Sequence, residues 1–414
     1  MKWRGRILHI LLILSIMISI VLSAGIWLSV GRVESQGDNT RQTIQRRNQQ
    51  SLALADQVFY HQSDKTVMQN KESSTKQVMN DLKKLHYREV DSSVHNLDDL
   101  GHIKNGVTLT YLSPLSFATF NEIFGLKCDK RSKSNFEFTQ LTYDVDGRHL
   151  LFANNKTGNI HCFQAAGDTS ALKKDIRQAE GIKVAYENRT LGYLPTDKVT
   201  LPCYSYMSAT QSYNIYTQAF FAHPDEVTSE KNRHGVTLYN TRGDRMVLDN
   251  NTSEVTYDGE FELATGENRF LKVLDMMSRL GNEPGKLRYF DQSNEVYRYK
   301  VFVEGYPIMS PADQGQVNVT IHDGKIQIQT SQDIPQIPVP NNDQVTLPSG
   351  KDLLKWCDKH DVSRQQIQQV QIGYRWSEDK EDKQVIVLTP TWYILYHNKW
   401  QSLDDIEGGN KDKS

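Results

Sequence analysis

The clearest folding signal in the chain is the stretch VNVTIHDGKIQI, residues 317–328. Apolar and polar residues alternate on both sides of its Asp-Gly pair, a pattern typical of a two-stranded antiparallel hairpin. The alternation predicts that Ile321 lies opposite Ile326 and that Val319 lies opposite Ile328, all on one buried face. The C-terminal part of the chain therefore contains antiparallel sheet.

Regular elements are predicted on both sides of this hairpin. Downstream they are a proline-punctuated connection at 335–348, a helix at 350–360 with Leu353, Leu354 and Cys357 on its apolar face, and strands at 369–376 and 384–396. Upstream they are strands at 236–240, 245–249 and 254–263, a helix at 267–280 with Phe270, Leu271, Leu274 and Met277 on one face, and strands at 286–290 and 295–304. The order strands, helix, strands occurs twice, which predicts a weak duplication of fold.

The region before residue 195 predicts a further α+β arrangement. Its elements are an amphipathic helix at 73–87, a strand at 106–112, a helix carrying Phe117, Phe120 and Phe124, strands at 136–145, 149–153 and 159–164, and a helix at 169–179. Ser113 and Pro114 fit the N-cap and first position of the phenylalanine-bearing helix. The predicted fold class is thus α+β with antiparallel sheets in three exterior domains, behind one N-terminal transmembrane helix.

That transmembrane helix is predicted at Ile7–Val30, which holds no Lys, Arg, Asp or Glu. At about 1.5 Å per residue a helix of this length reaches roughly 36 Å, enough to cross a bilayer core. Basic residues before it place the N-terminus in the cytoplasm and the rest of the chain outside, although Arg32 and later arginines weaken the charge asymmetry. The alternative is a cleaved signal peptide with a poor site at 21–23, but the apolar run exceeds the usual signal length.

Ser15, Ser19 and Ser23 recur at every fourth position and lie on one stripe of this helix. Small residues at this spacing allow another transmembrane helix to approach closely. The stripe is the candidate contact with a partner helix in the membrane; the alternative is that each serine bonds to its own helix backbone.

The complete division of the chain has seven segments. They are a cytoplasmic tail (1–6), the transmembrane helix (7–30), a polar stalk (31–50), an N-terminal exterior domain (51–194), a middle exterior domain (195–310), a C-terminal exterior domain (311–403) and a disordered tail (404–414).

Composition and motifs argue against several kinds of chemistry. The net charge of −2 lacks the basic excess of nucleic-acid-binding proteins. The four cysteines form no Cys-x-x-Cys pair, so we expect separate buried thiols, with one disulfide as the alternative, and no zinc site. No cofactor or catalytic residue is predicted.

Two groups of residues resemble known short motifs. Serine, lysine and asparagine residues resembling a β-lactam-type acyl-transfer signature occur in the wrong order and context. Those residues are Ser73 with Lys76, Ser170 with Lys173, Ser212 with Asn214, and Lys156-Thr157-Gly158. The tripeptide at 242–244 is Arg-Gly-Asp, which we interpret as a turn between strands rather than an adhesion site.

The last third of the chain resembles the YycH family. The motifs that carry the resemblance are YKVFVEGYPI (299–308), the Asp-Gly hairpin, IGY (372–374) and LTPTWY (388–393). The short basic N-terminus, single span and three-domain exterior body are similar too. The sister family YycI shares the fold of the last two domains, and the extra first domain favours YycH.

The resemblance implies a regulator from Gram-positive bacteria rather than an enzyme. Such proteins act with YycI on the sensor histidine kinase WalK, whose response regulator controls cell-wall metabolism, partly through their transmembrane helices. We therefore expect a non-enzymatic membrane-anchored regulator with a WalK-like kinase and a YycI-like protein as partners, and a homodimer as a further arrangement. The alternative is a tethered cell-envelope enzyme or ligand-binding protein.

Overall fold

Two large sheets form the framework of the described part of the chain. The computed structural model describes residues 47–91, 96–129, 136–280, 286–379 and 381–411. The chain from Gln50 onward forms one compact unit. Its architecture is α+β with mainly antiparallel strands, which confirms the predicted fold class for this part of the chain.

The first sheet has the strand order β10-β9-β2-β1-β4-β6-β7-β8-β3-β5, and the short pairing of β3 with β5 is parallel. Its strands are β1 (Gln57–Gln62), β2 (Lys65–Gln69), β3 (His86–Val90), β4 (Gly106–Ser116), β5 (Lys127–Cys128), β6 (Glu137–Asp144), β7 (His149–Ala153), β8 (Ile160–Ala166), β9 (Ile182–Asn188) and β10 (Gly192–Pro195). The helices of this region are α1 (Glu72–Leu82), α2 (Leu97–Leu100), α3 (Phe117–Phe124) and α4 (Ser170–Gln178).

The second sheet follows the order β13-β14-β15-β16-β21-β20-β18-β19-β24-β25-β12-β22, with β17 beside β18 and β26 beside β25. Its strands are β12 (Tyr204–Thr210), β13 (Thr228–Asn232), β14 (Gly235–Tyr239), β15 (Arg245–Asp249), β16 (Glu254–Glu260), β17 (Lys286–Ser293), β18 (Val296–Val303), β19 (Tyr306–Met309), β20 (Gln316–His322), β21 (Lys325–Ser331), β22 (Asp333–Val339), β24 (Ile367–Glu378), β25 (Val385–Tyr396) and β26 (Lys399–Ser402). A separate pair joins β11 (Val199–Pro202) to β23 (Gln344–Leu347). The helices are α5 (Tyr213–Phe220), α6 (Arg269–Ser278), α7 (Gly350–Lys359) and α8 (Leu403–Lys411), with 3-10 turns at Pro224–Glu226 and Arg364–Gln366.

The Asp-Gly hairpin forms with the predicted register. Ile321 lies opposite Ile326 and Val319 lies opposite Ile328, and all four side chains are buried. The hairpin pairs with β16 on one side and β18 on the other. Strand pairing therefore crosses residue 310, where we placed the boundary between the middle and C-terminal domains.

The N-cap predicted at Ser113-Pro114 is wrong, because these residues belong to β4. The helix α3 begins three residues later, where the Ser116 hydroxyl oxygen accepts a hydrogen bond from the Thr119 N–H at 3.2 Å. Leu115 instead continues the ladder by pairing with Phe138. Pro114 is tolerated because it lies where the register between β4 and β6 is irregular, so no regular ladder donor is lost.

The prediction of a disordered tail from residue 404 is also wrong, because Leu403–Lys411 form the helix α8. Ser402 and Asp405 form reciprocal caps at its start: the Ser402 N–H donates to the Asp405 carboxylate at 2.9 Å, and the Asp405 N–H donates to the Ser402 hydroxyl at 3.1 Å. This Ser-x-x-Asp arrangement is a capping box, and Ile406 is buried against the neighbouring core cluster. Local capping and one apolar anchor thus order a mostly polar segment.

Two smaller differences have equally local causes. The first amphipathic helix ends at Leu82 rather than residue 87, because β3 takes up His86 onward. The proline-punctuated connection contains β22 and β23, and β22 is the edge strand of the second sheet, the position where proline is compatible with a ladder.

One hydrophobic cluster extends across the two sheets. It includes Phe120 and Phe138 from the first sheet region and Leu274 and Ile328 from the second. A second cluster surrounds Leu353 of α7. Cys162, Cys203 and Cys357 are buried, Cys128 is half-buried, and all four thiols are free, as we expected.

Candidate functional site

The predicted membrane contact at Ser15, Ser19 and Ser23 lies outside the residues that the structure describes, as does the whole of Ile7–Val30. Within the described residues, no helix has the length and apolar character needed to cross a membrane. The anchor and its serine stripe therefore stay predictions.

The residues of the acyl-transfer signature have local structural roles. Lys76 pairs with Glu72 one turn earlier in α1 at 2.5 Å, and the Ser170 hydroxyl donates to Asp168 at 2.9 Å. Ser212 caps α5 by accepting a hydrogen bond from the Asn214 N–H at 3.4 Å. Lys156 and Thr157 form a turn whose N–H groups donate to the Asn154 side chain. No group of three or more metal-ligating side chains occurs in the part of the chain described here.

The Arg-Gly-Asp tripeptide forms a turn between β14 and β15. Asp244 is buried, and its carboxylate accepts hydrogen bonds from the Asn240 amide at 2.8 Å and the Glu260 N–H at 3.2 Å. Gly243 has φ +96°, a conformation that suits glycine. The carboxylate an adhesion motif would present is thus occupied in holding two strands together.

The most unusual polar site is the contact between the two sheets, which we call the junction. Backbone and side-chain groups of β4 bind the second sheet there: the Gln292 N–H donates to the Ser113 hydroxyl at 2.8 Å, and the Gln369 amide donates to the Leu112 carbonyl at 2.6 Å. These bonds join segments that are remote in sequence. They hold the first sheet against β17 and β24.

Two cations are buried at the junction. Arg288 on β17 is 2% exposed, and Lys300, its cross-strand partner on β18, is 5% exposed. Like charges directly opposite each other in a sheet are destabilising. Aromatic faces offset part of this repulsion, because the Arg288 guanidinium lies 4.8 Å from the Phe302 ring centre and the Lys300 ammonium lies 5.2 Å from that of Phe290.

Carboxylates from both halves of the chain surround these cations. Glu72, from α1, lies 3.5 Å from the Arg288 guanidinium. Burial lowers the pKa of Arg288, and the charges of Glu72 and Asp56 act in the opposite direction. Burial also lowers the pKa of Lys300 to about 8, although nearby Asp291 favours the charged form. Carboxylates of the first sheet region therefore compensate Arg288, whereas Asp291 of the second sheet favours the charged form of Lys300.

Asp56 is the most perturbed of these carboxylates. It is 3% exposed, and one oxygen accepts a hydrogen bond from the Leu112 N–H at 2.8 Å. Burial raises its pKa to about 7, against the lowering effects of that N–H and of Arg288; Asp291 raises it further. Burial thus favours the protonated form of this carboxyl far above the usual pH range of an aspartate.

Several polar atoms at this interface are buried without a hydrogen-bond partner among the described residues. They are the second carboxylate oxygen of Asp56, both side-chain polar atoms of Asn70, Nε and Nη1 of Arg288, and the Gln371 amide nitrogen. Unpaired buried polar atoms are rare in folded proteins and each is unfavourable. The junction is therefore held together at an energetic disadvantage that an apolar contact would not have.

Sequence reasoning did not find the junction. The available signal was the presence of Arg288 and Lys300 within strands otherwise rich in aromatic and β-branched residues. A charge in a strand is usually solvated on an open face, so the pattern alone does not predict burial.

Taken together, the fold and this site define a class: an α+β protein of extended sheets whose distinctive feature is a charged internal interface. A family model described as "YycH protein, C-terminal domain" matches residues 189–409, more than half of the chain, and the protein belongs to the YycH family. The fold is similar to the crystal structure of YycH from Bacillus subtilis, with a TM-score of 0.67 and 12% identity over 85% of this chain and 96% of that one. A search of curated protein sequences finds no match. Family membership supports a regulatory role in WalK signalling, with a histidine kinase as the kind of partner, and agrees with a non-enzymatic protein.

Proposed function

We propose that this protein is a membrane-anchored, extracytoplasmic regulator of a WalK-like sensor histidine kinase that controls cell-wall metabolism. The observation that carries the proposal is the family match over residues 189–409. In this proposal Ile7–Val30 is retained as a single transmembrane helix with a cytoplasmic N-terminus, which the basic residues before it favour. A YycI-like membrane protein is the second partner.

The proposed mechanism is differential binding. A regulatory subunit changes a kinase equilibrium only if it binds one kinase state better than the other. The helix supplies the membrane contact through Ser15, Ser19 and Ser23, while the exterior body determines when that contact is favourable. The junction supports this division of roles, because an interface that buries polar atoms without hydrogen-bond partners is less favourable than a fully apolar core and is easier to rearrange.

The test replaces Ile7–Val30 with an unrelated transmembrane helix in the full-length protein. We expect phosphorylation of the response regulator to change to the level of a deletion strain, and capture of the kinase and the YycI-like protein from solubilised membranes to be lost. Unchanged phosphorylation with normal membrane insertion would contradict the role given to the helix.

A finer test separates the serine stripe from general effects on the helix. Ser15→Leu, Ser19→Leu and Ser23→Leu together should weaken capture of the membrane partners, since bulky side chains prevent close helix approach. The matched control is Met17→Leu with Val21→Leu, which changes the opposite face. Equal effects of both sets would mean that the stripe is not the contact.

The alternative of a tethered ligand-binding protein or enzyme is favoured by one observation, a cleft of about 760 Å³ lined by six carboxylate side chains. A soluble fragment beginning near residue 34 distinguishes the two functions. Full activity of that fragment in cells would favour the alternative over a regulator that depends on its span.

A further inference from the structure

The cleft shares no lining residue with the junction and is built from both halves of the chain. Its walls come from α3, the end of α5, the turn between β14 and β15, the end of β16 and helix α6. Its volume of about 760 Å³ falls within the range of about 300–1,000 Å³ typical of binding pockets. The cleft is therefore large enough to enclose several side chains of a ligand.

Negative charge on its walls is only partly compensated. Two of the three cations there are already paired, Lys272 with Glu267 at 3.3 Å and Arg279 with Asp275 at 2.6 Å. The carboxylates without a side-chain partner among the described residues are Glu122, Glu260 and Glu262. Arg242 is the third cation of the lining. The three glutamates without a side-chain partner therefore outnumber it, and the cleft has an excess of negative charge.

The aromatic part of the cleft lining contains one hydroxyl group that is available to a ligand. Tyr257 lines the cleft and is 3% exposed, yet its hydroxyl has no hydrogen-bond partner in the part of the chain described. Gly259 leaves space next to that hydroxyl, since a Cβ there would overlap it. A ligand that reached this hydroxyl from the cleft would gain a hydrogen bond there.

The remaining lining residues suit a long side chain. Leu271 and Met276 are half-buried on one wall, and methionine adapts to differently shaped partners. Within the same cleft the Lys272 ammonium already lies 5.4 Å from the Phe261 ring centre. Lysine and arginine combine an apolar stem with a charged end, which matches apolar walls beneath a carboxylate rim.

We propose that this cleft binds a basic segment of a partner polypeptide. Lysine or arginine side chains of that segment pair with Glu122, Glu260 and Glu262, and their apolar neighbours pack against Leu271 and Met276. Charge complementarity selects this occupant over an acidic peptide or a nucleic acid. Peptide binding in this cleft does not depend on the transmembrane helix or on the proposed regulation of a kinase.

The test measures binding of a fluorescein-labelled peptide of alternating lysine and alanine to the detergent-solubilised full-length protein by fluorescence anisotropy. The glutamate–alanine peptide and detergent alone are the blanks. Glu122→Gln with Glu260→Gln and Glu262→Gln should weaken binding roughly tenfold, the sum of three exposed ion pairs. Tyr257→Phe should weaken it about threefold by removing one hydrogen bond.

The matched control neutralises three exposed carboxylates elsewhere, Glu187→Gln with Glu304→Gln and Glu381→Gln, and changes the net charge equally. We expect it to alter binding less than about twofold, because distant surface charges are screened by salt. Equal weakening in both triple variants, or equal binding of the glutamate–alanine peptide, would overturn the proposal.

Discussion

Replacing Asp56 with asparagine tests the physical account of the junction. The pKa of this carboxyl is raised from 3.8 to about 7 by burial. Between those two pH values the folded protein holds a proton that the unfolded chain has already released. The stability contributed by this group is therefore complete below the unfolded pKa and is lost as pH rises through about 7.

The size of the effect follows from the shift. Each pKa unit corresponds to about 1.4 kcal/mol, so the full difference of about three units amounts to roughly 4 kcal/mol. Much of that range lies above pH 5, where a denaturation experiment is practical. Asparagine keeps the shape of the carboxyl and an oxygen for the Leu112 N–H, but it cannot ionise. We expect Asp56→Asn to gain about 2–3 kcal/mol in unfolding free energy relative to wild type between about pH 5 and pH 8.

The assay is urea denaturation of both proteins at several values across that interval, followed by tryptophan fluorescence. Asp361→Asn is the control, because it removes an exposed carboxylate and changes the net charge equally. The difference in unfolding free energy between Asp361→Asn and wild type should stay constant across the pH interval. The reasoning is refuted if the Asp56→Asn difference stays constant across the interval, or if the variant is less stable than wild type near pH 8.

Three further predictions are checked by the same denaturation measurement. Gly305→Ala should destabilise the protein by about 3 kcal/mol or more, since Gly305 has φ +83° and a Cβ there would overlap the Asn70 carbonyl. The control Gly324→Ala, with φ +74° and open space around it, should lose only about 1 kcal/mol of unfolding free energy. Equal losses in the two variants would contradict the overlap. Glu72→Gln removes the nearest counter-charge of the buried arginine on β17 and should lower the unfolding free energy by about 3 kcal/mol. A loss under about 0.5 kcal/mol would mean that this ion pair contributes no more than an ordinary surface pair. Ile406→Ala should lose about 2 kcal/mol, and no loss would mean that α8 does not contribute to the stability of the compact unit.

Local patterns in the sequence predict much of the secondary structure. The Asp-Gly hairpin was predicted to the residue pair because a two-residue turn and strict alternation leave one register. The start of α3 was predicted wrongly because Ser113 and Ser116 both suit an N-cap. The choice between them depends on Leu115 pairing with Phe138, a contact between strands that the local sequence does not encode. Capping chemistry identifies candidates, and tertiary pairing selects among them.

The junction and the cleft show why sites assembled from distant residues are harder to predict than single helices and strands. Arg288 looks like any strand arginine until α1 brings Glu72 beside it, and Glu122 becomes part of a cleft only because α3 lies near α6. Each site depends on charges brought together from the two sheet regions, so neither leaves a motif in a continuous stretch. This dependence on both regions is a property that a regulator could use. A change in how the two regions fit together alters the electrostatics of both, whereas a motif within one loop would not respond.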